Sequence, residues 1–453
     1  MDETGALVGG GPQAAARTAQ AGPPGPARWR PLLSGELADR ARQAAAALAD
    51  GLDASRTVGR DRASLSGGSA GLAVCHAMLA RVHGEQRAAG QHAAQAGACL
   101  DHAISSLAAA PASAALYSGF TGVAWAAGLV DGLLGTGGGD RNETIDAAVV
   151  SLLHRDLPEG VPYDLVNGLT GLGVYALGRW PHAAGPDCLA AVVRQLASRA
   201  RRDSDGVYWW TPPALLLGPQ RQRYPDGGVD LGVAHGVAGV LPLLARAQAL
   251  GAGGELAGPL LADAVRWLLA HLTRDGSVQT APGFLAAGAV AVPARSAWCY
   301  GDPGVAMALL LAARDAGEPG WAETATRLAL HAAARAPGQT GVADAGLCHG
   351  TAGLAHLFNR MHQLTGEPDL ARAAVFWFER TLASCAAADP ATGLAGEPAV
   401  PGAGTGQPAW NGPGLLEGAA GIALALLAAS APAEPVWDQM LLVSTAGPAG
   451  AQL

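Results

Sequence analysis

The chain has 453 residues, 64 of them glycine; 50% are hydrophobic, yet Phe, Trp and Tyr together make up only 5%. That composition permits a large interior of thin side chains in close contact and excludes an aromatic-rich β-sandwich core. A net charge of −8, from 29 Lys plus Arg against 37 Asp plus Glu, argues against a nucleic-acid partner, and 15% charged residues is too few for a disordered polyelectrolyte.

Residues 1–34 are rich in Gly, Pro and Ala and carry no sustained helical period, so they are expected to be a flexible lead-in. They lack the basic start and unbroken apolar run of a secretory signal, and no stretch of the chain reaches membrane-spanning length without polar residues or helix breakers. A first helix is predicted over 36–49, with apolar residues at helical spacing and a polar opposite face.

From there a unit recurs. Gly-x-x-Gly followed by a small-residue apolar run begins at Gly68, Gly119, Gly168, Gly236, Gly301, Gly350 and Gly418, at spacings of 51, 49, 68, 65, 49 and 68 residues. Each apolar run predicts a helix, among them 72–82, 123–130, 237–249, 305–313 and 422–429. Between them, more polar helices are predicted over 92–107, 143–154, 187–199, 260–271, 321–335 and 370–383. The Gly- and Pro-rich intervals 201–230, 275–300 and 387–414 read as loops crossing one end of the assembly.

Seven polar-faced helices and seven small-residue helices suit a closed double ring, with the small-residue set inside. An outer helix would lead through a loop into each inner one. Glycine at an inner-helix entrance lets backbones approach without a Cβ clash and reaches φ values that other residues avoid. The intervals leave no room for an inserted domain of typical size, so 35–443 is read as one domain and 444–453 as a C-terminal tail.

Six cysteines in 453 residues are too few and too dispersed for a disulfide scaffold, which points to a reducing, cytoplasmic compartment. Two of them share a register: Cys299 and Cys348 each stand two residues before an entrance glycine, and His349 follows Cys348. If the ring closes, these three converge from adjacent units. Two thiolates and an imidazole suit Zn²⁺ and leave a fourth position for a reacting species. The bland alternative is two small buried side chains and a turn histidine. Cys75, Cys99, Cys188 and Cys385 read as packing residues.

The motifs Ser66-Gly-Gly-Ser-Ala-Gly, Tyr163-Asp-Leu-Val-Asn-Gly-Leu-Thr-Gly, Ala234-His-Gly-Val-Ala-Gly, Arg295-Ser-Ala-Trp-Cys-Tyr-Gly, Cys348-His-Gly-Thr-Ala-Gly and Leu415-Leu-Glu-Gly-Ala-Ala-Gly carry a resemblance. Over roughly 36–443 the chain resembles the lanthionine synthetase C-like family, the zinc-dependent cyclases of lanthipeptide biosynthesis. The resemblance implies an all-α fold, an α/α toroid of seven inner and seven outer helices, with zinc on Cys299, Cys348 and His349. It implies a dehydrated precursor peptide as substrate. A peptide cysteine would add to dehydroalanine or dehydrobutyrine and close a lanthionine or methyllanthionine ring.

In that chemistry His235 resembles the family's general acid, and Asp164 would orient it or the incoming thiol. Arg295 and Tyr300, flanking Cys299, would bind the peptide carbonyl or stabilise negative charge. Each also has a plain structural alternative: a hydrogen-bonded core histidine, a helix cap, an Arg–carboxylate pair and a packed tyrosine. Trp298 and Glu417 are candidates for lining the cavity, with packing and a paired or solvated carboxylate as their alternatives. The resemblance implies a separate dehydratase as partner and permits a membrane-associated transporter complex. Two other functions fit the same residues: a zinc-dependent glutathione or small-thiol transferase, and a non-enzymatic precursor-peptide scaffold.

Overall fold

A computed structural model of the chain describes residue 1 and residues 29–447, apart from 58, 85, 110, 137–138, 159, 217, 276–277, 389–409 and 411. The described chain runs through α1 (Gly35–Asp50), α2 (Ser69–His83), α3 (Arg87–Ala108), α4 (Phe120–Leu134), α5 (Glu143–Leu153), α6 (Leu169–Gly178) and α7 (Ala184–Arg199). It continues with the short α8 (Gly218–Arg223), then α9 (Val237–Ala249), α10 (Ala257–Ala270), α11 (Asp302–Ala316), α12 (Pro319–Ala334), α13 (Thr351–Thr365), α14 (Pro368–Ala387) and α15 (Ala419–Ser430).

Burial separates these helices into two sets. In α1 the buried residues Ala38, Ala41, Ala45 and Leu48 recur at helical spacing, so one stripe faces inward and the rest meets solvent. Every residue of α15 is buried, as expected of a helix covered on all sides. The inner set is α2, α4, α6, α9, α11, α13 and α15; each touches the next, and α15 touches α2. The fold is thus an α/α toroid of seven inner and seven outer helices.

The pairing of the layers differs in one respect from the sequence expectation. Most inner helices pack chiefly on the outer helix that follows them, as in α2 on α3, α6 on α7, α11 on α12 and α13 on α14, whereas α4 packs more on α3, before it, than on α5. Helix α1 has no inner helix before it and packs on α15, the last one. The two ends of the helical chain thereby supply the final pair of the ring.

A second closure lies at the entrances. Ser66, Tyr117, Val166, Ala234, Cys299, Cys348 and Leu416 each stand two residues before an entrance glycine, and each donates its backbone N–H to the carbonyl of the next. These bonds span 3.1, 3.5, 3.3, 3.5, 3.5 and 2.7 Å, and Leu416 returns to Ser66 at 3.0 Å. The circle satisfies loop backbone that would otherwise be buried unpaired. Immediately inside it, a Cβ on the second glycine of each repeat would overlap the carbonyl six residues earlier, as at Gly122 on Leu116 and Gly353 on Leu347. Close approach is therefore what requires these glycines. Among the first glycines only Gly301 has a positive φ, 87°; the others are extended.

The long loops carry three two-stranded sheets: β1 (Arg201–Arg202) with β2 (Val207–Tyr208), β3 (Val229–Asp230) with β6 (Phe284–Leu285), and β4 (Thr273–Asp275) with β5 (Val278–Thr280). The antiparallel β3–β6 register sets Asp230 opposite Phe284 and stitches two of the loops together above α9.

Both chain ends are tied into the ring. Trp29 and Leu33 fall in the segment expected to be an unpacked lead-in, yet both are buried: the Trp29 indole donates to the Ala428 carbonyl at 2.8 Å, and Leu33 N donates to Ala429 at 2.9 Å. The reason is local, since an indole at this point covers the end of α15. Residues 2–28 lie outside the described residues. A 3₁₀ turn, Val436–Leu441, packs under the entrance circle, where Tyr117 and Trp298 donate to the Met440 and Leu441 carbonyls at 2.8 and 2.9 Å. Thr445 and Ala446, in the expected tail, accept from Arg314 and Arg246; 448–453 lie outside the described residues, as do most of the residues of the expected loop 387–414.

Candidate active site

The residue just before each entrance glycine is at least partly exposed in all seven units: Gly67, Ser118, Asn167, His235, Tyr300, His349 and Glu417. The circle of backbone bonds thus turns one position per unit toward an open mouth and the preceding position into its rim. Chemistry collects on the arc from α6 to α13.

Cys299 and Cys348 are adjacent because their backbones are bonded neighbours in the circle. With His349 they form a group whose Sγ and ring-nitrogen atoms all lie within 4.8 Å of one another. Two thiols and an imidazole at that separation fit a single tetrahedral cation such as Zn²⁺.

The electrostatics favour a cation there. The Cys348 thiol donates to Cys299, and the nearby His349 and Arg295 add positive charge, holding Cys299 well below the ordinary thiol value of 9.0 against the opposing effect of burial. Cys348 is pushed up in turn, first by its bond to Cys299, then by burial and the charges of Cys299 and Glu417. Hydrogen bonding to Asp344 and then to Cys299 pushes His349 up to about 10, so a metal must displace protons from the cluster.

Asp344 is the partner that orients His349: its Oδ2 lies 3.3 Å from Nε2, while its Oδ1 accepts from Gly346 N at 2.7 Å. A carboxylate on one ring nitrogen fixes the imidazole and leaves the other nitrogen for the cation. Cys75, Cys99, Cys188 and Cys385 have no such surroundings; burial is the main cause that pushes them up to about 11 or 12.

His235 stands on the neighbouring entrance. Its Nδ1 is 2.7 Å from Asp164 Oδ2, and Asp164 Oδ1 accepts from Asn167 N at 2.6 Å. Burial alone would lower this imidazole, but the Asp164 bond and charge, with Asp230 and Cys299, raise it above 6.5. The ring is consequently a good proton carrier near neutrality.

Tyr300 donates its phenol hydrogen to Asp230 Oδ2 at 2.7 Å, and Asp230 Oδ1 accepts from Gly232 N at 2.8 Å. Burial, then the Asp230 carboxylate, raise Tyr300 above its usual range, so it stays a neutral phenol. Asp230 is buried and pushed up to about 6, chiefly by that burial. Arg295 is exposed on the rim, within electrostatic reach of Cys299. Glu417 lies close enough to act on Cys348. Trp298 is committed to packing, with its indole turned to Leu441.

The ring thus brings together Cys299, Cys348, His349, His235, Asp164 and Tyr300, with Arg295 at the edge. Sequence reasoning missed Asp230 and Asp344. A signal was present: both stand six residues before an entrance glycine, Gly236 and Gly350, and Arg295 holds the same position before Gly301.

Among solved structures the chain is similar to nisin cyclase, at 20% identity with a TM-score of 0.67, over 85% of this chain and 93% of that one. This likeness shows a shared fold. No curated protein matches the chain. Residues 59–442 match the model of the lanthionine synthetase C-like protein family, a span that includes the whole arc of chemistry around Cys299 and ends beneath the entrance circle. The chain therefore belongs to the lanthionine synthetase C-like protein family.

Proposed function

We propose that the protein is a zinc-dependent cyclase that adds peptide cysteine thiols to dehydroalanine or dehydrobutyrine and forms lanthionine or methyllanthionine rings. The observation that carries this reading is the convergence of a Cys–Cys–His cation site with a carboxylate-paired imidazole on one rim. Cys299, Cys348 and His349 would hold Zn²⁺. The bound cation supplies Lewis acidity that keeps a substrate cysteine as its thiolate at neutral pH.

The remaining steps belong to the chain's own side chains. As sulfur bonds to the β-carbon, the double-bond electrons move toward the carbonyl, and the α-carbon must gain the proton that completes the addition. His235, protonated and held through Nδ1 by Asp164, would deliver that proton from its other nitrogen. The imidazole then recovers a proton equivalent to the one lost by the next thiol, so the net reaction is addition without a by-product. Arg295 faces the developing carbonyl charge from the rim. Tyr300 acts by position, since its hydrogen is already given to Asp230.

A dehydrated precursor peptide as substrate requires an earlier dehydration of its Ser or Thr residues, which we assign to a separate enzyme. A transporter complex is a further candidate partner. All six cysteines are free, which suits the cytoplasm; no described helix is long and apolar enough to cross a membrane.

Zinc content measured together with mass-resolved thiol alkylation tests the reading. Ring closure leaves the peptide mass unchanged but removes one alkylatable cysteine. One zinc per chain and loss of that thiol on a dehydrated peptide are expected; full alkylation after incubation with the zinc-loaded protein would reject cyclisation.

A further inference from the structure

Beside the rim, α8, β6 and residues 292–295 enclose a pocket of about 340 Å³. It shares Arg295 and Tyr300 with the candidate active site, so anything reaching the metal cluster from this side passes over it. Gln220 of α8 is hydrogen-bonded to Tyr300, and the β3–β6 register ties Phe284 to the strand that carries Asp230. The pocket wall is therefore coupled mechanically to the groups around Cys299.

The lining has two characters. Tyr224 and Phe284 stack with ring centroids 4.4 Å apart and form an aromatic wall, extended at the mouth by Val292, 48% exposed, and beside it Val290, 84% exposed. Exposed valines on a loop beside a pocket are open apolar contact surface. The charged lining is wholly cationic: Arg223 and Arg295, with no acidic residue. Arg223 lies over the Tyr224 ring at 5.3 Å, and among the described residues neither guanidinium pairs with a carboxylate. In a chain of net charge −8, two arginines on a lining with no acidic residue make this pocket locally cationic, with Arg295 also acting on Cys299.

We propose that this pocket is a side-chain subsite for the precursor peptide, which receives an apolar residue against Tyr224 and Phe284 while an adjacent Glu or Asp pairs with Arg223. The assignment rests on the cyclase reading for the identity of the occupant. It makes the segment next to the reacting cysteine a determinant of which cysteine is presented. A pocket of this volume suits one large side chain, and an exposed guanidinium selects its neighbour by charge.

Four fluorescein-labelled peptides of one length, each with one cysteine and one dehydroalanine, test it. They carry Leu-Glu, Leu-Gln, Ser-Glu or Leu-Lys beside the cysteine. Fluorescence anisotropy with the zinc-loaded full chain is expected to give a Kd about fivefold lower for Leu-Glu than for Leu-Gln or Ser-Glu. Arg223→Glu should transfer the advantage to Leu-Lys, and Val292→Ser should narrow the gap between Leu-Glu and Ser-Glu. Both positions are exposed and belong to the proposed subsite, so the expected change is in Kd and KM for each peptide. Equal affinities for all four peptides, or a Glu preference that survives Arg223→Glu, would overturn the subsite. Thiol alkylation on the same samples separates the two ideas. Selective binding without ring closure sinks the cyclase reading alone, and ring closure without selectivity sinks the subsite alone.

Discussion

His235 acquires its chemistry from the carboxylate it meets. Asp164 comes from the entrance 71 positions earlier and holds Nδ1 at 2.7 Å, which outweighs burial and keeps the ring protonated at higher pH than a free histidine. If the protonated ring is the acid, activity falls as pH rises through its raised pKa. Asp164→Asn removes the main raising influence, so the alkaline limb of a kcat–pH profile should move to lower pH; an unmoved limb would exclude His235 as the titrating acid. Replacing His235 by Asn should reduce kcat by about 10²–10⁴, the usual contribution of a positioned acid, with zinc content retained. The cation ligands behave differently: Cys299→Ala or Cys348→Ala should lose both zinc and ring formation. Asp344→Ala keeps all three ligands and should weaken zinc binding by about 10- to 100-fold in a chelator competition, because its partner His349 is no longer oriented. Asp344 and Asp230 share a repeat position with Arg295, so the pattern was legible, but a carboxylate in a loop also serves as a cap or a solvated charge. Which imidazole or phenol it meets depends on how two loops are stitched.

At the scale of the elements, the repeated glycine pair is the sequence's most informative feature, and its physical purpose is narrower than conformational freedom. The first helical turn of each inner helix lies on the carbonyl of the residue six positions before its second glycine, with no space for a Cβ. Gly353→Ala would push against the Leu347 carbonyl, next to Cys348, whose backbone bond to Leu416 is part of the entrance circle. Such overpacking should cost about 1–3 kcal/mol in urea unfolding. Because the displaced loop carries two cation ligands, zinc affinity should fall along with stability; an alanine variant with unchanged stability and zinc binding would show that the close approach is dispensable. The outer helices were legible from periodicity alone. Their partners were not, because a stripe of Ala and Leu specifies that a face is buried but not against which inner helix.

Over the whole molecule, closure brings together residues from opposite ends of the chain. Asp438, in the turn beneath the entrance circle, accepts from His356 at 2.7 Å and from both the Nε and Nη2 of Arg360 at 2.7 and 3.0 Å; the Arg360 guanidinium also lies 4.6 Å over the Trp29 ring. All three charged or ionisable groups are buried. Burial by itself would raise Asp438, but Arg360 and His356 hold it below the ordinary 3.8. Its stabilising contribution is therefore fully present above that value and lost as pH falls toward the depressed one. Asp438→Asn leaves the buried Arg360 guanidinium paired with Glu434 alone, at 2.8 Å, and should cost about 1–3 kcal/mol at neutral pH, less as the pH is lowered below 4. A thermal unfolding series that shows the same deficit at pH 7 and pH 3 would contradict this account.

By itself, the sequence determined that the chain would be helical, that seven units would repeat, and that two cysteines and a histidine would share the unit's entrance. Those properties are periodic and local, and side-chain size with helical spacing is enough to express them. Only the tertiary structure decided that α1 completes the ring with α15, that Trp29 and the turn at 436–441 belong to the packed body, and that His235 meets Asp164 while Tyr300 meets Asp230. Those contacts join residues tens to hundreds of positions apart. They form because a closed ring of small-residue helices brings its seven entrances within backbone hydrogen-bonding distance, and no local pattern encodes which loop will then lie beside which.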